Sequence, residues 1–528
     1  MPTPPYFTLD AVSAATPDGR RLFDNLTLAF GRERTGLIGR NGAGKTTLLR
    51  LLTGEQHPAA GSIGRTGRVG LLRQSLQSPA GATVAELLDI SLPLARLARI
   101  EAGEGGADDL AEADWTLPAR VEAALADLGL AGLALDRAAD TLSGGRLTRL
   151  SLAALTVTGP DVILLDEPTN NLDLEARALV ADFLRRWKGG VVVVSHDRGL
   201  LRQMDRIVEI SGLGVSVYGG GYDLYAARKA QEREAAERDL SVAVRDAARV
   251  EREAQHAREK KARRDAAGKR NAARGGAPKI LLGAQKRRAE ESAGREDRLA
   301  DRLREASAGQ LAEARARVER VRALAFSLPT TGLPPGKTVL AFDEVAFGYE
   351  ADPVLSGLSM RIIGPERVAV IGPNGSGKTT LIRLAVGALE PASGRVTRSE
   401  RMVLLDQKAS VLRDAETILE GFRRLNPLAT VNDAQAALAR FLFRNTAAHQ
   451  AVGSLSGGER LRAALACVLS GVEPPQLLIL DEPANHLDLA SVEAVEQALS
   501  GYDGALLVVS HDADFLQAIG IERVTVLS

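Results

Sequence analysis

The 528-residue chain is too long for a single core, and at the usual size per domain it should hold roughly two to four. Hydrophobic residues make up 45% and charged residues 25%, which excludes a largely disordered chain, and the single cysteine, Cys467, excludes a disulfide framework or a multi-cysteine zinc or iron–sulfur site. Lys plus Arg and Asp plus Glu both total 67, so net charge alone points to no polyanionic partner.

No apolar run approaches the ~18 residues needed to cross a bilayer. The opening "MPTPPYFTLD" has neither a basic nor an apolar leader region. A cytoplasmic protein is expected.

Taken in chain order, five elements occur once in each half. The first half carries "GRNGAGKTT" from Gly39, "VGLLRQ" ending at Gln74, "LSGG" from Leu142, "VILLDEP" through Pro168 and "VVVVSHD" through Asp197. The second half carries "GPNGSGKTT" from Gly372, "VLLDQ" ending at Gln407, "LSGG" from Leu455, "LLILDEP" through Pro483 and "LLVVSHD" through Asp512. Short continuous apolar runs such as "VILLD" and "LLVVS" predict parallel strands buried on both faces, alternating with helices such as "TTLLRLLTG". Each half therefore reads as a layered α/β domain, with boundaries at residues 5–221 and 338–528.

Between them, residues 222–337 change to Ala, Glu, Arg and Lys with helical spacing, as at Leu311, Ala314, Val318 and Val321. Gly268, Gly275, Gly276 and Pro278 suggest a turn, so two long helices in a hairpin are expected, with a first arm of ~40 residues reaching ~60 Å. From Ala226 to Leu328 there are 27 basic and 17 acidic residues, and from His256 to Arg288 the ratio is 12 to 2. A tip so charged is suited to phosphate backbones; a solvated spacer is the other reading. Ile280, Leu281 and Leu282 add an apolar patch beside that charge. The acidic "EAGEGGADDLAEADW" near Glu101 lacks a counterpart in the second half and reads as a surface insertion.

A polyphosphate needs several converging donors, and a Gly-rich turn entering a helix supplies backbone N–H groups. Gly39, Asn41, Gly42, Ala43 and Gly44 form one such turn, and Gly372, Asn374, Gly375, Ser376 and Gly377 the other. Lys45 and Lys378 then reach the β- and γ-phosphates, while Thr46 and Thr379, each followed by a second threonine (Thr47, Thr380), offer hydroxyls to Mg²⁺. Asp166 and Asp481 end buried strands, where a carboxylate needs a cation. Glu167 and Glu482 follow as candidate general bases toward water. Gln74 and Gln407 are candidates to sense the metal or water, and His196 and His511 to contact a γ-phosphate.

Because "LSGG" stands between the two nucleotide motifs, the chain resembles the ATP-binding cassette ATPases across both halves. The fold this resemblance implies is two P-loop ATP-binding cassette domains of α/β class joined by a long helical hairpin linker, with ATP and Mg²⁺ as cofactors. In that family two cassettes close head to tail. One site would then pair Lys45, Thr46, Gln74, Asp166, Glu167 and His196 with Ser456, Gly457 and Gly458. The other would pair Lys378, Thr379, Gln407, Asp481, Glu482 and His511 with Ser143, Gly144 and Gly145. Asn171 to Asp173 and Asn485 to Asp488 match the family's loop coupling the two sites. Arg146 departs from the Glu or Gln that usually follows "LSGG", as Glu459 does, and this bears on turnover at the second site. Tyr349 matches the ring that stacks on adenine. The first half offers "SAATPDG" there, so adenine should be held less firmly in the first site.

"DEPTNNLD", "DEPANHLD" and "YGGGYDLYAARK" resemble the F-type cassette proteins that act on ribosomes. That resemblance implies an ATP-closed form docking in the ribosomal tRNA exit site, contacting rRNA and tRNA through the basic linker, as a monomer with intramolecular cassette pairing. Modulation of translation, or relief of stalled or antibiotic-bound ribosomes, is the expected role, with hydrolysis driving release. The alternative is a fused ATPase subunit of a membrane transporter, which would need no basic hairpin. A DNA-repair ATPase of cassette type would bring zinc-binding cysteines, and the chain has none to spare.

Overall fold

The structure, a computed structural model, describes residues 4–16, 19–74, 81–211, 214–273, 301–314, 328–349 and 352–527. The chain divides into two units, Met1–Tyr225 with Leu324–Ser528, and Ala226–Ala323.

Within the first unit each half builds two sheets. The strands Val162–Asp166 and Gly190–Val194 are buried along their whole length, as their unbroken β-branched and leucine runs require. They lie in a six-stranded sheet whose order is Val69–Leu72, Val162–Asp166, Gly190–Val194, Arg34–Gly39, Arg206–Ser211 and Gly214–Gly219. Only the last pairing in it is antiparallel. The second half repeats the arrangement with five parallel strands: Met402–Leu405, Leu477–Asp481, Ala505–Val509, Arg367–Ile371 and Arg523–Val526. In each sheet the phosphate-loop strand is flanked on both sides by parallel strands, and its loop emerges at the carboxyl edge, where open α/β sheets bind ligands. Gly39 ends its strand and Gly372 directly follows its own, and there a Cβ would stand 2.4 Å from the carbonyl oxygens of Ile210 and Leu527. No other residue fits that approach.

Each half also carries an antiparallel three-stranded sheet that the motif reading did not foresee. One joins Arg21–Phe30, Phe7–Ala15 and Ala60–Arg65; the other joins Asp352–Ile363, Thr338–Tyr349 and Ser393–Arg398. Phe7, Leu9 and Val12 are buried while Thr8 and Asp10 are exposed, the alternation of a sheet with one face on the core.

The helix Tyr222–Ala273, which belongs to the second unit from Ala226 onward, runs for 52 residues, about 78 Å at the usual rise. It passes straight through Gly268, which corrects the expected interruption there and the shorter first arm. A lone glycine lowers helix stability by only about 1 kcal/mol, too little to break so long a run. Residues 301–314 are helical, and Arg304 Nε lies 3.3 Å from Glu251 Oε2 of the long helix. Gly275, Gly276, Pro278, Ile280, Leu281, Leu282, Val318 and Val321 lie outside the described residues. The acidic insertion is itself structured: it holds the helix Ala107–Ala111, whose Asp109 pairs with Arg99, while Arg96 pairs with Glu112. Cys467 is buried on the helix Gly457–Leu469, and burial pushes its thiol above its ordinary range. Among the described residues no helix is long and apolar enough to cross a membrane.

The halves meet through charged groups at the start and just past the end of the short helix Arg198–Leu201, which follows the first Ser-His-Asp. Arg198 makes a bidentate pair with Glu496 of the other half, at 2.7 and 3.1 Å. Arg202 pairs with Asp514, also of the other half, and with Asp223. Both guanidinium groups lie about 6 Å from the ring of Tyr222, the first residue of the long helix. The Arg198 and Glu496 side chains are only 8% and 11% exposed, so removing either strands a buried charge. Arg198→Ala should therefore lower unfolding stability by about 3 kcal/mol or more in denaturant melts. Replacing both partners with methionine and leucine should restore most of that loss.

Candidate functional site

A cleft of about 400 Å³ opens at the first phosphate loop. Its walls include nine of the residues singled out from the sequence: Asn41, Gly42, Gly44, Lys45, Thr46, Thr47, Gln74, Asp166 and Glu167. Gly44 takes the left-handed conformation at φ 99° and starts the helix Lys45–Thr53; Gly377 does the same at φ 87° before Lys378–Val386. Each lysine folds back over its own loop. Lys45 Nζ donates to the carbonyls of Gly39 and Arg40 at 2.6 and 3.2 Å, and Lys378 Nζ to those of Gly372 and Pro373 at 2.7 and 2.8 Å. Burial lowers the pKa of both, against the pull of nearby carboxylates.

Thr46 Oγ1 donates to Asp166 Oδ2 at 2.9 Å, and Gln74 lines the same cleft. Burial raises the Asp166 and Asp481 carboxyls above the ordinary carboxylate range. A hydroxyl, an amide and one carboxylate form a hard-oxygen set suited to Mg²⁺ held largely by phosphates. Among the described residues no cluster of three His, Cys, Asp or Glu offers an all-protein cage. Among the described residues several buried polar atoms near the two phosphate loops make no hydrogen bond: both ring nitrogens of His196, His511 Nε2 and Ser376 Oγ, although each Nε2 lies close to a glutamate oxygen. Such atoms fit a site built to meet a polar ligand.

Glu167 and Glu482 occupy left-handed backbone at φ 51° and 47°, uncommon for a glutamate. Their N–H groups are pinned to Val194 O and Val509 O of the neighbouring strand, both at 2.9 Å. His196 Nε2 approaches Glu167 Oε1 to 3.1 Å, and His511 Nε2 approaches Glu482 Oε1 to 3.6 Å. Burial pushes Glu167 up to about 8 and Glu482 up to about 7. It pushes His196 down to about 3 and His511 down to about 4. At neutral pH the first pair thus meets as two largely uncharged groups, and each histidine is a neutral imidazole.

The opposite half contributes directly. Asn41 N–H donates to Asp488 Oδ2 at 2.9 Å and its side-chain amide to His486 O at 3.1 Å; His486 also lines the cleft. Reciprocally, Asn374 N–H donates to Asp173 Oδ2 and its amide to Asn171 O, both at 3.1 Å. Thr16, Arg20, Leu22 and Val194 complete the cleft, and the sequence reading gave none of them a role in it. Leu22 is an apolar wall residue with no motif to mark it, and Val194 is the last valine of the strand that runs into Ser195 and His196.

The "SGG" phrases are placed differently. Ser143 and Ser456 cap the helices Gly144–Thr158 and Gly457–Leu469. Ser456 forms a reciprocal capping box with Glu459, whereas Ser143 has Arg146 in that position and accepts only its N–H. Ser456, Gly457 and Gly458 are not among the described residues lining the first cleft, nor is His196. Gly145 lies against Leu172 and Gly458 against Leu487, so each phrase abuts the loop of its own half that touches the opposite phosphate loop. Tyr349 is 47% exposed and stands edge-on to Phe347 at 5.1 Å.

The family model described as ABC transporter matches residues 23–170 and 355–485. The tylosin resistance ATP-binding protein TlrC of Streptomyces fradiae is 37% identical over 530 residues, spanning 94% of this chain and 92% of its own. ABC transporter F family member 2 of Arabidopsis thaliana is 30% identical over 521 residues, spanning 92% of this chain and 71% of its own. ATP-binding protein Uup of Escherichia coli is 30% identical over 536 residues, spanning 94% and 76%. Among solved structures, an archaeal ribosome recycling factor, aABCE1, in complex with the ribosomal stalk protein aP1 shares the fold. Its TM-score is 0.60 at 19% identity, over 98% of this chain and 87% of that one.

A base must be ionised to take a proton from water, and kcat/KM reports the groups of the free protein. ATP hydrolysis per unit KM should therefore climb with pH through the interval from about 7, set by Glu482, to about 8, set by Glu167, and level off above it. Glu167→Gln should remove the upper inflection and keep the lower one. A flat profile from pH 6 to 9 would show that neither glutamate is the base.

Proposed function

The chain belongs to the ATP-binding cassette family and, within it, to the F family of tandem-cassette ATPases, and from that premise we propose that it is a translation factor whose ATP-bound form engages the ribosome. The chain is an ATPase, and its cassette domains bind ATP. The proposal extends that activity to a cytoplasmic monomer whose paired cassettes close on ATP and dock in the tRNA exit site. There it modulates translation or relieves stalled or antibiotic-bound ribosomes, and hydrolysis drives release.

In each cleft the loop N–H groups and Lys45 or Lys378 would cradle the phosphates. Thr46 with Gln74 and Asp166, and Thr379 with Gln407 and Asp481, would hold Mg²⁺, which when bound neutralises charge between the β- and γ-phosphates. Glu167 or Glu482 takes a proton from water as its oxygen attacks the γ-phosphorus. The bond from that phosphorus to the bridging oxygen breaks, and ADP and phosphate leave. Neutral His196 and His511 orient the glutamates and the departing phosphate. The Ser456–Gly458 phrase would complete the first cleft and Ser143–Gly145 the second as the halves close. Arg146 in place of a capping glutamate sets the second cleft apart.

One observation carries the reading of an ATP-controlled clamp: each phosphate loop is hydrogen-bonded to the opposite cassette. The ribosomal target rests on the F-family membership and on the linker, where His256 to Arg288 holds 12 basic and 2 acidic residues. Glu167→Gln with Glu482→Gln should trap the ATP-bound form, and in a sucrose gradient with ATP that variant should travel with ribosomes and lose them in about 0.5 M salt. Sedimentation with membranes, or equal ribosome binding with and without nucleotide, would contradict the proposal.

A further inference from the structure

We propose that Arg20 is the platform for the base in the first cleft, and that this cleft takes a purine nucleoside triphosphate without selecting adenine over guanine. The inference rests on reading the cleft as a nucleotide site.

The two antiparallel hairpins share landmarks that align them. Left-handed residues kink the first strands at Ala11 (φ 50°) and Glu344 (φ 49°), and the second strands at Asn25 (φ 51°) and Gly357 (φ 62°). Thr16 stands five residues after the first kink, as Tyr349 does in the other hairpin, so a threonine occupies the ring's position. Arg20 stands five residues before the second kink, as Asp352 does. Tyr349 and Asp352 are direct cross-strand partners. Thr16 and Arg20 face each other in the same way: Thr16 N–H donates to Arg20 O at 2.9 Å, and Thr16 Oγ1 to the same oxygen at 3.1 Å. The arginine is therefore the neighbour of the position from which the ring is missing.

Its side chain turns to the phosphate loop. Arg20 Nη2 donates to Gly42 O at 3.1 Å, and Arg20 lines the same cleft as Lys45 and Thr46. That hydrogen bond fixes one edge of a flat, delocalised cation that can lie against a π face. A guanidinium favours the more electron-rich face, and guanine's is richer than adenine's. Nothing in such stacking rejects guanine.

The test uses the full chain with Lys378→Ala to silence the second cleft, and displacement of a fluorescent ATP analogue by ATP, GTP and ribose 5-triphosphate. ATP and GTP should compete within about threefold of each other, both ahead of the base-free compound. Arg20→Ala and Arg20→Lys should each weaken ATP and GTP about fivefold and leave ribose 5-triphosphate unchanged. Arg20→Tyr should recover ATP. Unchanged ATP and GTP affinities in Arg20→Ala, or GTP more than tenfold weaker than ATP in the parent, would overturn the platform. Nucleotide binding that survives Lys45→Ala with Lys378→Ala would instead overturn the reading of the cleft itself.

Discussion

Two aspartates each work with both oxygens of one carboxylate, and the rest of the active region is arranged around them. Asp173 Oδ1 accepts from Ala176 N–H at 3.0 Å and caps its own helix, while Oδ2 accepts from Asn374 N–H of the opposite cassette. Asp488 Oδ1 accepts from Ser491 N–H at 2.8 Å, and its Oδ2 accepts from Asn41. A carboxylate at a helix start is favoured by the unpaired N–H groups and by the helix dipole. Being acceptor-only with two oxygens, it can serve both partners at once. Each phosphate loop is thus oriented by the cassette it does not belong to. Asp488 also contributes to the field around Lys45, and Asp173 to that around Lys378.

The same loops hold the candidate bases. Glu167, Asn171 and Asp173 belong to one short stretch, as do Glu482, His486 and Asp488, and in each the glutamate and the residue two before the aspartate take left-handed backbone. Such conformations cost of order 1–3 kcal/mol each and persist where surrounding bonds fix them. Here the fixing bonds are the strand contact at the glutamate and the cross-cassette contact at the aspartate. The position of the base and the grip on the opposite phosphate loop are therefore mechanically linked. On the far side of the first site, His196 leads through Asp197 to Arg198, which ties to Glu496 and lies by Tyr222 at the root of the long helix.

The phosphate loops, the acidic strand ends and the Ser-His-Asp phrases were readable because each is contiguous and occurs twice, and because a buried run such as "VILLD" permits one kind of strand. The antiparallel sheets were not read because "FTLDAVSAA" is an ordinary half-buried strand with no chemistry in it. Gly268 misled because glycine raises the energy of a helix without forbidding one. Arg20 lies across a hairpin from the position searched for a ring, a placement set by strand register, which no local pattern encodes. His486 falls within Asn485 to Asp488, the stretch read as coupling the two sites.

The central claim is that the clamp between halves, and not either cassette alone, sets the chemistry. Asp173→Asn and Asp488→Asn each keep an oxygen to cap the helix but replace the second acceptor with an amide that cannot receive the phosphate-loop N–H. Steady-state ATP hydrolysis of each variant, with thermal melting as the check on folding, tests the claim most directly. The account predicts that either substitution alone removes well over half of the turnover while the melting temperature holds. Losses of at most half that simply add in the double variant would mean the two sites run independently, and would contradict it.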